Sequence, residues 1–157
     1  MSENRPPILA EANALLTRAE AGGPGAAMAA RRAAALLEKG DPDAARQALA
    51  LAARLAPRDP APRLGLARMA AEAGELEAAV IEARAVLEGA ADGAAKSRAA
   101  YMLGEVARAQ GKTQDARTYF SAALKLEDSV LTGDRGNVAA ARGYARAKGR
   151  LAELDAA

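Results

Sequence analysis

The chain has 157 residues, a length suited to one domain, and its 22 basic and 20 acidic side chains are interspersed, a balance with no strong pull towards nucleic acid or anionic lipid. It contains no cysteine and no histidine, which removes disulfides, thiolate chemistry, the usual zinc ligands and the side chain best suited to proton shuttling near neutrality. Hydrophobic residues make up 51% but aromatics only 3%, so alanine must fill the interior, where small side chains let helix axes approach closely.

The N-terminal stretch from Met1 to Leu16 has Glu3 and Glu11 around a short apolar segment and does not have the form of a signal peptide. The first helix is expected over Pro7–Ala21, with Ile8, Ala12, Leu15, Leu16 and Ala19 on one stripe. Gly22-Gly23-Pro24-Gly25 breaks it. A second helix is predicted from Ala26 to Lys39, terminated by Gly40. Asp41-Pro42 supplies an N-cap and a first-turn proline for a third helix reaching Leu55, and Asp59-Pro60 repeats the device for a fourth that ends before Gly74. Glu75–Glu88 forms the fifth. After a loop over Gly89–Gly93 comes a sixth, Ala95–Gln110, and Thr113 is expected to cap a seventh that continues to Glu127. A further loop, Thr132–Gly136, leads to Asn137 as the cap of an eighth helix, Val138–Ala156. That helix is expected to stay continuous through Gly143 and Gly149, because the residues after Gly149 would make a poor helix alone.

These segments repeat. Ala12, Leu16, Ala19 and Pro24 recur 33 residues later as Ala45, Leu49, Ala52 and Pro57, and Gly40, Gly74 and Gly111 are 34 and 37 residues apart. Two helices per period in the mid-thirties mark a helical solenoid, whose units cannot close their own core and bury it against neighbours. Small residues stand in register in the first helix of each period (Ala33, Ala67, Gly104) and early in the second (Ala45, Ala79, Ala116). Leu49, Ala83 and Phe120 follow one turn on, then Ala52, Val86 and Ala123. This pattern, with Leu103-Gly104 and Pro57, resembles the tetratricopeptide repeat (TPR) family. The first-helix tryptophan and tyrosine often seen in that family are missing from the first two units. Ala83 stands where a bulky residue is usual, and Ala91 and Asp128 where proline would be expected.

The resemblance implies an all-α, right-handed superhelical solenoid of antiparallel helix pairs, about eight helices in one domain. Its parts would be an N-terminal half repeat (7–25), three repeats (26–59, 60–94, 95–130) and a C-terminal half repeat or capping helix (135–157). It also implies a concave face built from the first helix of each pair. The positions three before, one after and four after each small residue share a stripe. They are Ala30, Ala34 and Leu37 in the first unit, Leu64, Arg68 and Ala71 in the second, and Tyr101, Glu105 and Arg108 in the third, with Arg98 one turn earlier. Such a groove suits a helical or extended segment of a partner protein carrying an apolar anchor and a carboxylate. Some TPR proteins grip the C-terminal carboxylate of heat-shock chaperones with polar groove residues. Alanines at positions 30 and 34 disfavour that mode.

No catalytic constellation is found. Gly22–Gly25 lacks the lysine and hydroxyl residue of a phosphate loop, Gly133–Asn137 lacks calcium-loop spacing, and Ser97, Ser121 and Ser129 have no histidine to activate them. Arg31-Arg32 is too short for a nucleic-acid patch, and no apolar run approaches the roughly 20 residues needed to cross a bilayer. The expectation is a non-enzymatic, cytoplasmic adaptor or scaffold with no cofactor or metal, whose partner is another protein rather than nucleic acid or membrane. Two alternatives follow from the resemblance and from the half repeat at the end. One is the substrate-recruiting part of a larger bacterial protein-modifying transferase, a glycosyltransferase or sulfotransferase. The other is a homo-oligomer joined through Ile8, Leu9, Leu151 and Leu154 on the terminal helices.

Overall fold

The computed structural model describes residues 7–157; residues 1–6, part of the N-terminal stretch expected not to be a signal peptide, lie outside it. The described residues form eight α-helices and no strand: α1 (Pro7–Ala21), α2 (Ala26–Leu37), α3 (Pro42–Leu55), α4 (Ala61–Glu72), α5 (Leu76–Gly89), α6 (Gly93–Ala109), α7 (Thr113–Gly133) and α8 (Val138–Ala156). None of them is long and apolar enough to cross a membrane. Their contacts group into two units that divide α4, Met1–Met69 and Ala70–Ala157.

In the first unit, α2 buries Ala26, Ala29, Ala30, Ala33, Ala34 and Leu37. That spacing of three and one presents two adjacent rows, one towards each neighbour. Ala19 of α1 and Ala52 of α3 cluster with Ala29 and Ala30, Ala48 with Ala33 and Ala34, and Ala12 and Ala45 with Leu37 and Met69. The partners on α1 and α3 descend as α2 climbs, so each crosses α2 in the opposite sense. Alanine buries little area, and a fully buried leucine is worth only about 1.5–3 kcal/mol. This unit is therefore held by many small contacts at close backbone approach. The predicted cap is present: the Asp41 carboxylate accepts the Ala44 amide at 3.0 Å, with Pro42 in the first turn. Gly40 ends α2 without a left-handed φ, its amide and that of Asp41 both returning to the Leu37 carbonyl.

The second unit repeats one corner. At the end of α4, Gly74 has φ 78°, its amide bonds the Ala71 carbonyl, and the Glu75 amide reaches back to Ala70. At the end of α6, Gly111 has φ 72°, with bonds from Gly111 to Arg108 and from Lys112 to Ala107. This paired closure needs the left-handed backbone that glycine adopts without a Cβ penalty. In both corners the next residue also accepts the first bond of the following helix, Ala79 to Glu75 and Ala116 to Lys112. Lys112, not Thr113, is therefore the N-cap of α7, and no side chain caps it.

Between α6 and α7 the packing is tighter and less alanine-rich. A Cβ on Gly104 would lie 2.6 Å from the fully buried Phe120 ring. Ser97, itself buried, donates to the Glu127 carboxylate at 2.7 Å. A Cβ on Gly143 of α8 would collide with that same carboxylate, its Cδ lying 2.7 Å away. Two helices run longer than predicted. Asp92 caps α6 by accepting the Ala94 amide, which shortens the preceding loop. Helix α7 continues past Glu127 to Gly133 because no proline stands at Asp128 to stop it, and Val130 rests against Gly93. Helix α8 is continuous through both glycines, and Asn137 caps it through the Ala140 amide.

Candidate interaction surfaces

The stripe expected to line an open groove divides sharply. Ala30, Ala34 and Leu37 are buried, at 4% exposure or less. Helix α2 is flanked by both α1 and α3, so these residues are packing contacts and not an accessible lining. The side of α2 that reaches solvent carries Met28, Arg32 and Ala35. Leu64 is half-buried, and Arg68, also half-buried, pairs with Glu38 at 2.7 Å. In the second unit Ala71 is half-buried and packs beside the cluster of Ala70, Ala79 and Val106.

Tyr101, Glu105 and Arg108 are brought together, but helix α8 lies against them. The Tyr101 ring sits between Phe120, 5.3 Å centroid to centroid, and the Arg146 guanidinium, 4.3 Å above its face. Arg150 Nε donates to Glu105 Oε1 at 2.5 Å and to the Tyr101 hydroxyl at 3.1 Å. Arg108 donates to Glu105 at 2.9 Å and stands 3.7 Å from Glu153, which also accepts from Arg150 at 2.9 Å. Burial pushes the Glu105 carboxyl upward, but the hydrogen bonds and charges of Arg108 and Arg150 outweigh it and hold the group below its usual range. Burial likewise raises the Tyr101 phenol, only partly offset by the Arg150 hydrogen bond. Hydrogen bonds to Glu153 and Tyr101 raise Arg150 further.

Sequence reasoning missed the three α8 members of this network. The signal was present, since the stripe rule applied around Gly149 as it was around Gly104 returns Arg146, Arg150 and Glu153. The pairs 101–146, 105–150 and 108–153 advance together, so α6 and α8 run in the same sense.

A different face of the second unit is open. Helices α5, α6 and α7 enclose a groove of about 300 Å³, with Val80, Ile81, Leu103, Val106 and Ala107 as its apolar wall. Ile81 is 67% exposed at its mouth. Across the groove Arg84 donates to the Tyr119 hydroxyl at 3.4 Å, and this bond raises the Arg84 pKa. Glu77, Lys112 and Asp115 complete a rim of both signs. The sequence stripe passed this face over because it followed only the first helix of each pair. Since Ala79 and Ala83 face the core of α5, Ile81 two residues from each must point out.

Of the residues considered for oligomer contacts, Leu9 packs on the core of the first unit and Leu151 and Leu154 pack beside Phe120, whereas Ile8 is exposed. Among the described residues no group of three or more acidic side chains is placed to hold a metal ion. No protein-family model matches the chain, and no curated protein matches it either.

Proposed function

We propose that this chain is a TPR-like adaptor that holds a helical or extended segment of a partner protein. The corner repeated at Gly74 and Gly111, and the burial of the small residues Ala33, Ala67, Gly104, Ala45, Ala79 and Ala116 in matching register, support helix pairs stacked as a right-handed superhelical solenoid. The observation that carries the binding role is the groove of α5, α6 and α7. Ile81, 67% exposed beside that apolar wall, offers a contact that an apolar side chain of a partner would cover. A segment with one or two apolar anchors would fill the groove, and a rim of both signs would fix its direction through flanking charges. The adaptor has no chemistry of its own in this reading and acts by holding its partner near other machinery.

Selection of short random peptides against the intact chain tests this. Enriched peptides should carry an apolar anchor and lose binding about tenfold or more when Ile81 is replaced by Glu, as expected for a central anchor contact. The exposed position predicts an unchanged unfolding midpoint. Binding that survives Ile81→Glu overturns the groove assignment.

A further inference from the structure

Charge in the second unit is segregated by helix. Helices α6 and α8 together carry seven basic and three acidic residues, a surplus of four, whereas the whole chain has a surplus of two. Helices α5 and α7 carry three basic and six acidic residues. The three carboxylates of α6 and α8 are all engaged. Glu105 and Glu153 are held by Arg108 and Arg150, and Asp155 is held by Arg117 of α7. That consumes Arg108 and Arg150 and leaves other cations on the two helices without a carboxylate.

Three of them fall on the side of Tyr101. Arg98 precedes Tyr101 by one turn on α6, Arg146 stands over the Tyr101 ring, and Arg142 precedes Arg146 by one turn on α8. The common sense of the two helices sets residue 98 level with residue 143, so Arg98 and Arg142 occupy the same height. All three are exposed, and among the described residues none of the three makes an ion pair. The carboxylate at that height, Glu127 of α7, is buried and accepts from Ser97. The exposed guanidinium groups repel one another, and carboxylates from outside would remove that cost while accepting two-pronged hydrogen bonds.

We propose that Arg98, Arg142 and Arg146 form a docking site for an acidic, Asp/Glu-rich segment of a partner protein. Nucleic acid fits less well. Tyr101, the aromatic residue at the patch, has one ring face covered by Arg146 and packs against Phe120, so it offers no platform for stacking a base. The site is separate from the Ile81 groove and stands whether or not that groove binds a peptide.

The test measures fluorescence anisotropy of labelled octaglutamate with the intact chain at about 50 mM salt, where charge contacts are least screened. The expected result is saturable binding that weakens as salt rises. The Arg98→Glu/Arg142→Glu double variant should weaken it about tenfold or more. Arg54→Glu/Arg58→Glu, an equal charge change on exposed arginines of the first unit, should weaken it less than about twofold. Both pairs are exposed, so matching unfolding midpoints are expected. No saturable binding, or an equal loss in the two double variants, overturns the site. So does oligothymidylate that binds more tightly than octaglutamate and is lost with Arg98→Glu/Arg142→Glu, which would make the patch a phosphate reader.

Discussion

Where Ala33 and Ala34 of α2 meet Ala48 of α3, the facing side chains are methyl groups; where Gly104 of α6 meets α7, a phenyl ring fills the space that a missing side chain leaves. The two solutions bring neighbouring helices close by opposite means, many small contacts in one and a large side chain seated on a glycine in the other. Their surfaces differ as a result. Residues 7–69 spend their stripe on the interior, and their exposed Met28 and Leu55 line one shallow groove beside the Arg31–Asp59 pair. Residues 70–157 keep a groove, an ion network and a row of cations. On the proposed reading the alanine-sealed helices serve as scaffold, and the larger and more polar side chains of the other set carry recognition.

The sharpest way to break this contrast is Phe120→Ala. Removing a fully buried ring should cost about 3–5 kcal/mol in chemical denaturation, and a loss near 1 kcal/mol would show that the ring is not the keystone of α6 and α7. In the first unit the corresponding test is overpacking. Ala33→Leu has no space at zero exposure between α1 and α3 and should cost about 1–3 kcal/mol. The two glycines of α8 give a smaller but cleaner pair. Gly149→Ala meets nothing within 4 Å and should raise stability by up to about 1 kcal/mol through helix propensity. Gly143→Ala should lower it, because the new methyl displaces the Glu127 carboxylate from Ser97 and outweighs the same gain.

The smallest effect is the acid limb of the stability profile. Glu105 is held below its ordinary 4.5 in the folded chain. Its pairing therefore contributes stability that is fully present above 4.5 and lost as the pH falls through the lower folded value. Denaturation of the wild type and of Glu105→Gln across that range should show the difference between them shrinking as the pH drops. A constant difference would mean that the carboxylate is not stabilised by Arg108 and Arg150.

Much of the local structure was legible. Helices α1, α3 and α8 run over the residues that capping and periodicity predicted, because Asp41-Pro42 and Asn137 are strong start signals and Gly22–Gly25 is a strong stop. Ends governed by weaker punctuation moved. The end expected at Glu127 has no breaker beside it, since Asp128 stands where proline would, and α7 runs on to Gly133. The candidate surface was less legible for a geometrical reason. A stripe rule fixes which residues share a face but not whether that face is covered. Ala30, Ala34 and Leu37 shared one as expected, and α1 and α3 closed over it. Tyr101, Glu105 and Arg108 shared another, and its polar groups were answered by α8, whose own stripe around Gly149 sequence reasoning had not traced.

Amide hydrogen exchange on the intact chain, with and without a selected apolar-anchored peptide, tests the division between scaffold and recognition most directly. The expected result is added protection along α5, α6 and the first turns of α7, centred on Ile81, with α1, α2 and α3 unchanged. Protection centred on α2 and α3, with none around Ile81, would contradict it.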